Sequence, residues 1–145
     1  MMPADSTLLP ATGFRVGQSC TRILKVDDKL VRAYADVSGD HNPVHVNDAF
    51  AARTRFGHRI AHGGILFSFV SKVIGNDLPG VGTIFRDQTI SFKSPVLIDE
   101  TVTLMVTIAE LLPKNGAKLT PVITNEKGVI VANGTAEVKL PLLSE

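Results

Sequence analysis

The chain reads as one α+β domain in which an antiparallel sheet curls around a single long buried helix. Three observations predict this. The stretch from Gly64 to Ile74 is apolar on nearly every side, so as a helix it belongs inside rather than on a surface. Beyond about residue 82, the chain is strand-like almost to its end. A length of 145 residues is that of one domain, long enough to bury about 70% of its unfolded surface. An apolar helix followed by successive strands finds cover in the sheet those strands make.

In chain order, residues 1–13 carry Pro3, Pro10 and Gly13 without periodicity and read as an N-terminal tail, leaving 14–145 as the domain. No internal repeat or linker divides it further. Ser19 to Val26 alternates crudely and predicts a first strand. Asp27 and Asp28 offer an N-cap for a helix whose Leu30, Val31 and Tyr34 share one face and which ends near Gly39. Asn47 caps a second, short helix through Phe50 and Ala51, ending before Gly57. The apolar helix spans about 16 Å at 1.5 Å per residue, and Gly75-Asn76 and Pro79-Gly80 stop it. Thr83 to Phe92 makes one strand or two. Thr101 to Leu112 alternates most cleanly, with Val102, Leu104, Val106 and Ile108 facing one way. Lys118 to Thr124 and Val129 to Leu140 follow, joined by the turn Asn125-Glu126-Lys127-Gly128.

Composition excludes several classes of function. A net charge of +1 gives no electrostatic case for nucleic acid. The one cysteine, Cys20, rules out an internal disulfide, fits a reducing compartment and reads as a strand thiol. No apolar stretch approaches the roughly 20 residues that span a bilayer, and the first residues lack the pattern of a signal peptide. The expectation is a cytoplasmic protein with neither membrane nor nucleic-acid partner. Gly80-Val81-Gly82 is a turn, because no strand–glycine–helix order surrounds it.

The chemistry concentrates between Val37 and Ser71, which holds all four histidines. Ser38-Gly39-Asp40-His41-Asn42-Pro43-Val44-His45 is a loop by composition, and Pro43 prevents a helix from running through it. Asp40 and His45 sit on irregular backbone, free to aim at one point as an acid–base pair. His62-Gly63-Gly64 then opens the apolar helix, leaving backbone N–H groups bare at its positive end. Such an end suits negative charge developing on a carbonyl oxygen, and Gly63 lets a substrate approach closely. Addition or elimination next to a carbonyl follows as the predicted chemistry. His41/His45 and His58/His62 are each four apart, but Pro43 spoils the helical spacing a metal site would need. His41 reads as exposed, His58 as a loop residue and His62 as a tie on the backbone. Arg53, Arg55 and Arg59 are candidates for a carrier phosphate, although arginines on a short polar helix are more often only solvated.

With these residues in view, the sequence resembles the MaoC-type hydratases and dehydratases of the hot-dog fold. The resemblance runs from about Phe14 to Pro141 and includes Gln88-Thr89-Ile90-Ser91-Phe92-Lys93-Ser94-Pro95-Val96. It implies (R)-specific hydration of trans-2-enoyl-CoA, with no cofactor and no metal, in a homodimer. Asp40 and His45 would be catalytic, the Gly63 N–H would bind the thioester oxygen, Ser68 would support Asp40, and Asn42 would brace the loop. A 3-hydroxyacyl carrier-protein dehydratase and a non-catalytic acyl-thioester-binding subunit are the alternatives. The chain departs from the family pattern at Asn47-Asp48, which caps a helix as well, and at Gly64, where a bulky residue is usual. The second departure loosens or reshapes the acyl pocket.

Overall fold

The computed structural model describes residues 8–10 and 13–144. Of the segment read as a tail, 1–7 and 11–12 lie outside the described residues. Strand β1 (Leu8–Pro10) pairs antiparallel with β7 (Leu142–Ser144). The main sheet holds β2 (Ser19–Lys25), β3 (Ile84–Phe92), β4 (Thr101–Leu112), β5 (Gly116–Thr124) and β6 (Ile130–Lys139). Every pairing is antiparallel and the order is β2-β4-β5-β6-β3. β4, β5 and β6 form the meander that their spacing predicts. β3 precedes them in the chain yet crosses to the far edge beside β6, so β2 and β3 are the two edges.

Four helices lie between β2 and β3. α1 (Asp28–Ser38) starts where Asp27 accepts a hydrogen bond from the Leu30 N–H at 2.9 Å. It ends at Gly39, whose φ of 79° is a left-handed cap that glycine adopts without strain. α2 (Pro43–Val46) corrects the reading of this stretch as loop. Pro43 sits at the first helical position, where its fixed φ suits the turn and its missing N–H costs nothing, so it starts a helix here. α3 (Asp48–Ala52) is capped by Asn47, as read, through the Phe50 N–H at 2.9 Å.

α4 (Gly63–Asn76) is longer than its predicted span, since Gly75 and Asn76 continue it. Glycine near a helix end costs only about 1 kcal/mol, less than burial of Val73 and Ile74 in the last turns returns. Ile65, Leu66, Phe69, Val70, Val73 and Ile74 pack against Val102, Leu104, Val106 and Ile108 of β4 and Leu119 and Ile123 of β5. Each such burial stabilises by about 1.5–3 kcal/mol. The helix is not buried all round, however. Ser68, Ser71 and Lys72 are exposed, because one sheet covers one side of a helix. The connection into α4 is tied to the β3–β4 loop by an Ile60–Leu97 bridge and the Ala61 N–H bonded to the Val96 carbonyl at 2.7 Å. This is a hot-dog arrangement, with the α1–α3 segment laid over the start of the central helix.

Candidate active site

Asp40 follows the left-handed Gly39 cap and is gripped by its backbone on both sides. Its N–H donates to Ser38 Oγ at 3.1 Å, and that hydroxyl donates to the Tyr34 carbonyl at 2.6 Å. Its carbonyl accepts from His62 Nε2 at 3.0 Å. The carboxylate itself is exposed and accepts the Asn42 N–H at 3.1 Å. Asn42 also caps α2, its Oδ1 taking the Val44 N–H at 3.2 Å. Asn42 thereby fixes both the carboxylate and the helix that carries His45.

His45 sits in the last turn of α2, half-buried, with Nδ1 2.7 Å from the Ile60 carbonyl. A carbonyl only accepts, so Nδ1 carries the proton and Nε2 is left as the acceptor nitrogen. His62 lies face to face with it, ring centroids 3.9 Å apart and planes at 28°. His62 is 2% exposed, and its Nδ1 has no hydrogen-bond partner. Burial pushes its pKa below the usual histidine range, against the opposing effect of its bond to the Asp40 backbone. It ties down backbone, as its place before the glycines implied.

One ligand-type atom from each of Asp40, His45 and His62 lies within 4.8 Å of the others. This differs from the four-apart histidine pairs in the sequence. Two imidazoles stacked nearly parallel hold their in-plane lone pairs side by side instead of aiming them at one ion, which suits proton transfer better than coordination. His41 is exposed, with Nε2 3.8 Å from Asp36, and His58 is exposed as well.

Gly63 is the first residue of α4, so its N–H has no carbonyl of the helix to meet, and His62 before it makes no side-chain cap. A cavity of about 400 Å³ opens here, lined by His45, Gly63, Leu66 and Phe92 among others, with Arg55 and Lys93 on its wall. None of its lining residues is acidic, and Asp40 is not part of the wall. The Phe92 ring lies close over Gly63, where a Cβ would stand 2.7 Å from Cζ. Phe92 and Lys93 were not singled out from the sequence, although both lie in the Gln88–Val96 segment that carries part of the resemblance. Tyr34 was placed only on the inner face of α1.

Two expectations are corrected. Ser68 Oγ donates to the Gly64 carbonyl at 2.8 Å, and the residue is exposed, so within this chain it does not support Asp40. A hydroxyl in mid-helix finds the carbonyl four residues back before it finds a partner on another element. Arg59 is no phosphate ligand. It is 8% exposed and bonds Asp28 (2.7 Å), Asp48 (2.8 Å) and the His45 carbonyl (3.2 Å). That hydrogen bond holds the Asp28 carboxyl below the usual carboxylate range. Arg53 lies over Phe50 at 5.7 Å and Arg55 over Phe56 at 4.9 Å.

Comparison with known proteins agrees with the fold and gives the family. The family model described as MaoC-like domain matches residues 14–133. The 3-hydroxybutyryl-CoA dehydratase of Methylorubrum extorquens is 39% identical over 127 residues, covering 86% of this chain and 81% of its own. The (R)-specific enoyl-CoA hydratase of Rhodospirillum rubrum is 36% identical over 141 residues, covering 97% and 98%. The solved (R)-hydratase of Aeromonas caviae, described as involved in PHA biosynthesis, superposes with a TM-score of 0.88 at 39% identity, covering 90% of this chain and all of that one.

Proposed function

The chain belongs to the MaoC-like domain family, and from that premise we propose that it adds water reversibly to trans-2-enoyl-CoA, giving (R)-3-hydroxyacyl-CoA. The observation that carries this reading is the convergence of Asp40 and His45 beside a bare helix N-terminus, with His45 and Gly63 at the wall of a largely apolar cavity. Asp40 and His45 hold one water between them. As the hydroxyl joins the β-carbon, the pair takes the water proton and the α-carbon receives one, so atoms and charge balance over the cycle. The thioester oxygen gains enolate character meanwhile and is met by the Gly63 N–H in a preorganised site. His45 Nε2 is placed to accept, and the two groups act as one coupled unit. Asn42 serves as the brace.

One pair on one side of the planar enoyl group reaches only one face, so addition is syn. The cation pair Arg55 and Lys93 on the cavity wall supports an anionic carrier such as CoA. Unpaired Cys20 supports a cytoplasmic setting, and the open β3 edge supports a homodimer. Among the described residues, no helix is long and apolar enough to cross a membrane.

The test is to hydrate crotonyl-CoA and crotonyl-carrier protein side by side. Each product is then offered separately to (R)- and (S)-specific 3-hydroxyacyl dehydrogenases. Preference for CoA with oxidation by the (R)-specific enzyme is the expected result. Oxidation by the (S)-specific enzyme alone defeats the stereochemical assignment, and preference for the carrier protein moves the activity to acyl-chain synthesis.

A further inference from the structure

Gly64 stands where a bulky residue was expected, and the structure gives it a use. The Tyr34 phenol lies directly over it. A Cβ on residue 64 would overlap Tyr34 Oη and fall 2.6 Å from Cζ, so the phenol would have to leave the place it now holds. Gly64 is the second residue of an ordinary α-helix and its φ is not positive, so the glycine is required for space and not for backbone conformation. The volume that the sequence appeared to leave open for substrate is therefore filled by a side chain from α1.

What Tyr34 touches next is the candidate site. Its ring is tilted against His62, centroids 4.8 Å apart at 58°. His62 in turn stacks on His45 and bonds the Asp40 carbonyl. Only one nitrogen of this buried imidazole has a partner, so packing from both sides must set where the ring sits. The main chain of residue 34 also meets Asp40, through its carbonyl, the Ser38 hydroxyl and the Asp40 N–H, a link that substitution of the side chain leaves in place. We propose that Tyr34 is a positioning residue for Asp40 and His45, acting through His62, and that Gly64 is the notch in α4 that admits its ring. The inference rests on the hydratase reading for its kinetic part only.

The experiment compares Tyr34→Phe, Tyr34→Leu, Gly64→Ala and the double variant Tyr34→Leu/Gly64→Ala, each checked for folding by circular dichroism. Two readouts are taken: crotonyl-CoA hydration across pH, and NMR of the histidine ring protons. Tyr34→Phe keeps the ring and should retain kcat within about threefold. Tyr34→Leu should lower kcat on the order of tenfold with KM within about twofold and a displaced pH profile, because misplacing an acid–base group slows chemistry more than binding. Gly64→Ala should do at least as much harm alone, yet add almost nothing in the Tyr34→Leu background, where no ring remains to expel. The His62 and His45 ring resonances should move in Tyr34→Leu and in Gly64→Ala. Equal cost of Gly64→Ala in both backgrounds, or unchanged kcat in folded Tyr34→Leu, overturns the proposal. If the leucine variant does not fold, Tyr34→Met takes its place in the same comparison, with the same expected and overturning results. A wild-type protein inactive on every enoyl thioester sinks the functional reading instead, and the ring resonances then decide the positioning claim alone.

Discussion

At the scale of single residues, the site is built from contacts that leave few alternatives. His45 has its Nδ1 proton fixed by the Ile60 carbonyl, and Asp40 is held by its backbone while the Asn42 N–H steadies its exposed carboxylate. Under the proposed mechanism, Asp40→Asn and His45→Asn should each lower kcat by about 10²–10⁴ while leaving the fold intact, and the double variant should be little worse than either. A folded His45→Asn protein keeping a tenth of wild-type kcat would exclude this pair. His62 offers a test by pH. Its pKa in the folded chain is lowered from 6.5 by burial. The unfolded chain therefore takes up a proton first as pH falls, so stability is unaffected well above that value and declines below it. Wild-type Tm should drop more between about pH 7.5 and pH 5.5 than the Tm of a His62→Phe variant, since the latter has lost this titration. Parallel curves for the two proteins would show that His62 is not held neutral.

At the scale of elements, one short helix does most of the positioning. α2 is too short to be stable alone, so its hold on His45 depends on its ends. Asn42 caps one end, and at the other Arg59 and Arg32 reach the carbonyls of His45 and Val46 while both bond Asp28. Removing Arg59 leaves two carboxylates that water can reach, so the cost is below that of stranding a buried charge, about 1–2 kcal/mol. Arg59→Ala should accordingly lower Tm by several degrees and kcat more than KM, while Arg59→Lys, with one fewer simultaneous contact, recovers part of both. Loss of Tm without loss of kcat would confine Arg59 to a structural role. This is also where the sequence was least legible. Asp40, Asn42, Pro43 and His45 announce themselves by residue type, and the caps at Asp27 and Asn47 were readable because capping is local chemistry. Pro43 misled, because breaking one helix and starting the next look alike without the neighbouring backbone. Arg59 and the reach of Tyr34 beyond its own helix escaped the sequence for a related reason. Their partners lie 31 and 28–30 residues away along the chain, and no short-range pattern encodes such contacts, whereas the Ser68 bond to a carbonyl four residues back is local and was set aside for the role the resemblance implies.

At the scale of the whole molecule, the sheet has an edge that one chain does not cover. The alternation in β4 to β6 predicted a curled sheet correctly, but strand order was not readable, since periodicity says which face a residue takes and not which strand lies beside it. That order puts β3 at an edge with Ile84 and Phe92 more than half exposed (59% and 54%). An edge strand of nine residues left open offers its outward N–H and C=O groups to another strand, and the exposed Ile84 and Phe92 at its two ends add apolar surface to that invitation. Phe92 links this edge to function: its ring lies over Gly63 and lines the cavity. A second copy joined at β3 would therefore cover the exposed side of Phe92 and narrow the mouth of the site, raising the yield of each interaction within it by excluding water. This supports the proposed homodimer and predicts that activity depends on it. Sedimentation at micromolar concentration should give twice the chain mass, and a charge placed on the edge, Ile84→Lys, should shift the balance towards monomer. The same variant should lose hydration activity in step with dimer as it is diluted. A monomer with full specific activity at every concentration would rule out both the dimer and the role assigned here to the β3 edge.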